Sequence, residues 1–116
     1  MKRGDVVLVV LQGDIGKPRP GVVVQADELG DATSSVLICP MSSDVTKLHR
    51  LRPVIEPTAT NGLRLRSQIM TDKINALRRE RVRRVLGTLD EEVIARLDSA
   101  FLVVLGLARS QKSVHS

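Results

Sequence analysis

Gly16-Lys17-Pro18-Arg19-Pro20-Gly21-Val22-Val23-Val24 is the stretch on which the fold turns. Two prolines fix φ on either side of Arg19, and the valine run that follows has the β-branched composition of a buried strand. A cation is thereby held at the stiff lip of a sheet. Such an arginine is either an ordinary surface residue or a charge held out for use, and its surroundings in the chain have to decide between the two.

On its N-terminal side, residues 6–11 form a continuous apolar run between Arg3-Gly4-Asp5 and Gln12-Gly13-Asp14. So short a run between turn signals suits a core strand better than a helix. Residues 12–17, with Gly13 and Gly16, read as a flexible loop of the length used for binding. Beyond Arg19 come a second strand over 21–25, a loop over 26–34 and a third strand over 35–39, which Pro40 is expected to end. Met41-Ser42-Ser43-Asp44 follow, where hydroxyls either cap a short turn or reach a substrate.

Residues 51–55 predict a short strand that Pro53 confines to a sheet edge. Residues 57–62 turn the chain back, and from Leu63 to Met70 apolar and polar residues begin in alternation, the pattern of a strand with one wet face. Lys73, Ile74 and Leu77 extend it. Residues 78–84 carry five arginines against one glutamate, either a solvated face or a phosphate contact. Thr88-Leu89-Asp90-Glu91 reads as a capping box with Thr88 at the N-cap, opening a helix whose apolar stripe runs from Leu89 through Val93, Ile94, Leu97, Ala100, Phe101 and Val104 to Leu105. Gly106 is the expected stop. Residues 110–116 lack an apolar pattern and are expected to be a flexible tail, with His115 inert in it.

A chain of 116 residues makes one domain with a modest core, placed at 1–109. Hydrophobic residues are 42% of it but aromatics only 1%, with Phe101 the sole ring, which excludes an aromatic base-stacking platform. The net charge of +5 and a pI near 10.1 favour a polyanionic partner. Cys39 stands alone, so an internal disulfide and a cysteine-cluster metal site are both excluded; the residue reads as a small buried hydrophobe in a reducing cytoplasm. His49 and His115 are too few and too scattered for a ligand set, so neither metal nor cofactor is expected. The first apolar run is too short to cross a bilayer, which predicts a soluble, cytoplasmic protein with no membrane partner.

Five segments taken in order, Lys2-Arg3-Gly4-Asp5-Val6, Arg19-Pro20 with Val22-Val23, Cys39-Pro40-Met41-Ser42-Ser43, Ser67-Gln68-Ile69-Met70-Thr71-Asp72-Lys73-Ile74 and the final helix, resemble the MazF/PemK family of toxin endoribonucleases over nearly the whole chain. The resemblance implies a mainly β fold, an SH3-like curved antiparallel barrel with a C-terminal helix, in a homodimer. It further implies metal-free, sequence-selective cleavage of single-stranded RNA and silencing by a cognate antitoxin, expected to be acidic with a disordered C-terminal part. The family's active-site arginine before proline falls on Arg19, its hydroxyl after the third strand on Ser42, and an acidic residue found in some members on Asp72, the candidate general base or a group orienting Arg19, so that these three are the expected catalytic residues. Lys17, Ser43, Lys47, Arg66 and Lys73 are the candidate RNA-binding residues beside them. Members commonly carry an aromatic where Leu8 stands, and a longer loop before Arg19. A CcdB-like gyrase-binding toxin is the alternative, but its C-terminal Trp-Gly-Ile has no counterpart in a chain without tryptophan that ends Ser113-Val114-His115-Ser116. A small basic barrel that binds RNA without cutting it remains open.

Overall fold

The computed structural model describes residues 1–13, 16–46 and 50–108. Lys47, His49, His115 and the 110–116 segment therefore lie outside the described residues. Strands β1 (Asp5–Val10), β2 (Pro18–Val23), β3 (Ser35–Ser42), β4 (Val54–Ile55), β5 (Ser67–Ile69), β6 (Asn75–Arg78) and β7 (Val82–Thr88) are followed by helix α1 (Glu91–Val104). They form one curled antiparallel sheet in the order β4-β5-β3-β2-β1-β7, with β6 also paired to β3.

β1 is apolar without alternation because both of its faces are covered. Val6 belongs to a cluster with Val22, Cys39, Met41, Ile69, Leu97 and Phe101, between sheet and helix. Val7 and Val9 belong to a second cluster with Val23, Val36, Ile38 and Leu77, enclosed by the curl of the sheet. Strands buried on both sides read as continuous hydrophobic runs, and such a core needs no ring beyond Phe101.

Pro40 does not end β3, which continues to Ser42. The side of β3 that faces away from β2 is shared by two partners, β6 opposite residues 35–38 and β5 opposite Met41 and Ser42. Pro40 lies between them, where the ladder is already interrupted and a missing N–H breaks no pairing. Its carbonyl accepts from the Met70 N–H at 2.9 Å. The proline near β4 behaves as expected, since β4 is an edge strand that starts just after Pro53.

Two readings of the second half are corrected. The alternation over 63–70 is not one long strand: β5 is only three residues, all buried, while Leu63 joins the core and Leu65 is 62% exposed in the preceding loop. The arginine-rich run is divided between the end of β6 (Arg78), a 3-10 turn at Arg79–Arg81 and the start of β7 (Arg83, Arg84); β7 lies at the other edge of the sheet, where charged side chains are tolerated on the open side. Its register against β1 shifts twice, which bends it and tightens the curl.

The helix cap also moves. Thr88 is the last residue of β7, and Asp90 is the N-cap, its carboxylate accepting from the Val93 N–H at 3.0 Å. Glu91 and Glu92 sit in the first turn, favourable against the helix dipole. Gly106 closes the helix as expected: its φ is 73°, and its N–H and that of Leu107 donate back to Val103 and Leu102 at 3.0 and 2.8 Å. Arg3 ties the helix to the sheet, bonding Asp98 at 2.7 Å and the Val24 carbonyl at 3.0 Å.

Candidate active site

β2 begins at Pro18, so the stretch between the prolines is the first turn of a strand and not its flank. Gly21 lies opposite Pro40, and Val22 opposite Cys39. Arg19 and Ser42 lie two residues beyond the Gly21–Pro40 pair, at the neighbouring ends of β2 and β3. Both line a cavity of about 650 Å³ together with Lys17 and Ser43. Four of the residues singled out from sequence thus meet in one place.

The opposite wall comes from the 56–65 turn and from β7. Asn61, 4% exposed, organises that turn: its side-chain oxygen accepts from the Thr58 and Leu63 N–H groups at 3.0 Å each, and its amide nitrogen donates to the Glu56 carbonyl at 2.9 Å. Such a satisfied buried amide holds a turn rigid. Gly62 follows with a φ of 68°, and a Cβ there would fall onto the Leu86 carbonyl oxygen, so the turn lies directly against β7. This packing presents Arg64, Leu65, Arg84 and Leu86 to the cavity, whose floor includes Leu8 and Met41.

Ser42 is held by its own turn. Its Oγ accepts from the Asp44 N–H at 3.1 Å, which leaves the hydroxyl proton to donate elsewhere. The Asp44 carbonyl in turn accepts from Nε2 of Gln68, buried in β5 and paired in register with Ser42, at 2.7 Å.

The remaining sequence candidates are placed elsewhere. Asp72 does not line the cavity; both its oxygens are taken by Arg52, at 2.7 and 2.8 Å. The hydrogen bond from Arg52 holds the Asp72 carboxyl below its ordinary value, and the same bond raises the pKa of Arg52. Arg66 bonds Glu56 at 2.9 Å and is not among the described residues lining the cavity, and Lys73 is exposed without lining it. Cys39 is inert: burial pushes its thiol up to about 12.

Arg64 and Arg84 were not singled out from the sequence. Their signal was present only as charge, Arg84 inside the arginine-rich run and Arg64 two residues from Arg66, with nothing to say which cations meet. The structure separates them by commitment. Arg3, Arg52, Arg66 and Arg79 are all paired with carboxylates, whereas the side chains of Arg64 and Arg84 form no ion pair or hydrogen bond among the described residues. Among the described residues, too, no three His, Cys, Asp or Glu side chains converge as a metal site would require.

Cations and hydroxyls around a cavity at one end of a small curled β-sheet define a polyanion-handling protein, and known proteins share this architecture. The chain superimposes with a TM-score of 0.79 on a mycobacterial endoribonuclease solved in complex with its cognate antitoxin, at 17% identity, over 95% of this chain and 99% of that one. It superimposes at 0.75 on the MazE–MazF complex of Deinococcus radiodurans, at 20% identity, over 93% and 97% of the two chains. A probable endoribonuclease MazF of Mycolicibacterium smegmatis is 39% identical over 109 residues, 93% of this chain and 99% of that protein. The chain belongs to the PemK-like, MazF-like toxins of type II toxin–antitoxin systems, whose sequence profile it matches over residues 2–105.

Proposed function

We propose that this toxin is an endoribonuclease that cleaves single-stranded RNA with the ribose 2′-OH as nucleophile and without a metal ion. The observation that supports it is that Arg19 and Ser42, at the neighbouring ends of β2 and β3, line one cavity together with Lys17, Arg64 and Arg84. The RNA phosphate sits against Arg19, whose guanidinium is always charged and matches two phosphate oxygens in a fork. Ser42 donates its hydroxyl proton to a non-bridging oxygen. As the 2′-oxygen bonds to phosphorus and gives its proton to solvent, Arg19 neutralises the phosphorane; it then hydrogen-bonds the departing 5′-oxygen, which solvent protonates. The products are a 2′,3′-cyclic phosphate and a free 5′-OH.

Lys17, Ser43, Arg64 and Arg84 hold the flanking RNA. Asp72 enters this scheme as a positioning residue at the Arg52 corner and not as general base, because a carboxylate with a lowered pKa is a weaker proton acceptor. The test is digestion of a long RNA in EDTA. Fragments with 2′,3′-cyclic ends support the reading, and efficient cutting of a substrate with a 2′-deoxyribose at the cleavage site overturns it.

The structures of relatives with antitoxins support a cognate antitoxin for this chain, acidic where it competes for the cationic cavity. Leu102, Leu105 and Leu107, exposed at 46%, 53% and 71% around the helix end, support a homodimer that covers them. Light scattering showing a monomer at micromolar concentration would refute that assembly. No helix among the described residues is long and apolar enough to cross a membrane, and the cytoplasm, where RNA and antitoxin meet, is the proposed place of action.

A further inference from the structure

The Ser42 hydroxyl does its part only if its proton points at the phosphate, and a serine χ1 has several staggered settings to choose from. Asp44 narrows that choice. Its N–H donates to Ser42 Oγ at 3.1 Å, and its carboxylate is gripped from the far side, Oδ1 accepting from the Thr46 N–H at 3.0 Å and the Thr46 hydroxyl at 2.6 Å. Side-chain turns thus run in tandem over 42–46, and on so exposed a segment they hold only as well as their footing. That footing is Gln68, whose Nε2 donates to the Asp44 carbonyl at 2.7 Å across 24 positions of sequence.

Gln68 is built into the sheet. It is 3% exposed in β5, the strand between β3 and β4, in register with Ser42 on one side and Val54 on the other. The neighbouring pair, Met41 and Ile69, belongs to the core, so alternation sets Ser42 and Gln68 together on the other face of the ladder. The other end of the amide is idle. Its Oε1 is buried with no hydrogen-bond partner among the described residues, and reversing the amide would set that oxygen against the Asp44 carbonyl. An unmet buried acceptor costs stability that methionine, of similar length and with no amide to satisfy, would not lose. Asp44 itself is exposed, which lets water replace Nε2 at its carbonyl. Stability accounts poorly for this amide, and the hydroxyl it steadies accounts for it well.

We propose that Gln68 is a positioning residue for RNA cleavage: through Asp44 it aims the Ser42 hydroxyl at the scissile phosphate. Gln68 is not among the described residues lining the cavity, so it acts through Ser42 and not on the substrate. This role rests on the nuclease reading for what Ser42 does, and adds that the serine works only while an amide of β5 holds its turn. Loss of the amide belongs to the chemical step, because the cations that share RNA binding are untouched.

Gln68→Met in the full chain is the test. Single-turnover cleavage should slow about tenfold or more while the RNA dissociation constant stays within about twofold, since a misaimed group costs rate and not affinity. In a Ser42→Ala background the same substitution should add less than about twofold, because the hydroxyl that Gln68 steadies is already gone. The Ser42 Hα–Hβ couplings, which report χ1 without any chemistry, should change from a single-rotamer to an averaged pattern. The urea midpoint should be no lower than that of the wild type. Gln68→Glu, isosteric but without a donor when ionised, should show the same rate loss and the same averaging.

An unchanged rate, a loss confined to affinity, equal slowing with and without Ser42, or a lowered urea midpoint would overturn the inference. So would a Ser42 rotamer untouched by both variants. If wild-type protein leaves RNA whole while Gln68→Met frees the Ser42 rotamer, the nuclease reading is overturned and the link from Gln68 to Ser42 stands.

Discussion

Two arginine-bearing corners of this molecule use the same side chain in opposite ways. At the Arg52 corner the guanidinium meets both oxygens of Asp72, while the Thr71 hydroxyl donates to the Leu51 carbonyl at 2.6 Å, so the segment leading into β4 is fastened to the turn after β5. At the cavity rim the side chains of Arg64 and Arg84 form no ion pair among the described residues, and they line the same cavity as Arg19 and Ser42. A cation neutralised inside the chain contributes to shape. Two guanidiniums such as Arg64 and Arg84, lining one cavity with no ion pair among the described residues, raise each other's energy, an arrangement that an incoming anion relieves. The difference lies in what surrounds each arginine and not in the arginine itself.

The sharpest way to break that comparison is at the rim. Arg19→Ala should lower cleavage about a thousandfold or more, with Arg19→Lys recovering little, while RNA affinity falls far less because other cations share the binding. Single-turnover rates beside binding isotherms would show it; a large loss of affinity with an unchanged single-turnover rate would make Arg19 a binding residue only. Core changes should do the reverse. Leu97→Ala, at a fully buried position under the helix, should cost about 2–5 kcal/mol in urea unfolding and leave the rim chemistry of the folded fraction intact. Gly62→Ala connects the two regions, since the new methyl meets the Leu86 carbonyl at a positive φ: a loss of about 2 kcal/mol is expected, with weakened RNA binding as the Arg64 wall shifts. A neutral Gly62→Ala would show that wall to be soft.

The smallest effect belongs to the paired corner. Asp72 is half exposed, so solvent screens its bridge to Arg52, and Asp72→Asn should cost no more than about 1 kcal/mol and leave the cleavage rate within about threefold. A loss on the scale of Arg19→Ala would reinstate Asp72 as the base. The lowered pKa of Asp72 sets the sign with pH: the bridge contributes fully above the carboxyl's ordinary value near 3.8 and is lost as pH falls through the lower folded value. The wild-type and Asp72→Asn unfolding curves should therefore converge in acid and stay apart at neutral pH.

The β1–β2–β3 half was legible because its signals are local. Valine runs, loop glycines and a proline pair mark strands and turns without reference to distant residues, and Arg19 and Ser42 were found through motifs at the ends of such strands. Pro40 misled because its tolerance depends on a gap between two partners far along the chain. β7 was missed for a related reason: Val82-Arg83-Arg84-Val85 has few apolar residues, and only its place at an edge makes the charges harmless. Thr88 and Asp90 are both good caps, and the strand claimed the first of them. Which arginines would be free and which bridged was not legible at all, because pairing such as Arg52 with Asp72 spans loops whose course is set by tertiary packing.

The contact of the 58–62 turn with β7 has one more consequence. Thr60 accepts from the Thr88 N–H at 2.9 Å, and Gly87 lies so close to Thr60 and Asn61 that no side chain fits between them. The last strand thus carries a lid over the final third of its outer edge, while the open part carries Arg83 and Arg84, whose like charges would repel a second copy laid alongside. A strand that would otherwise template fibrils is blocked at one end by backbone and at the other by charge. Arg83 and Arg84 on that open edge thus disfavour edge-to-edge association of concentrated chains.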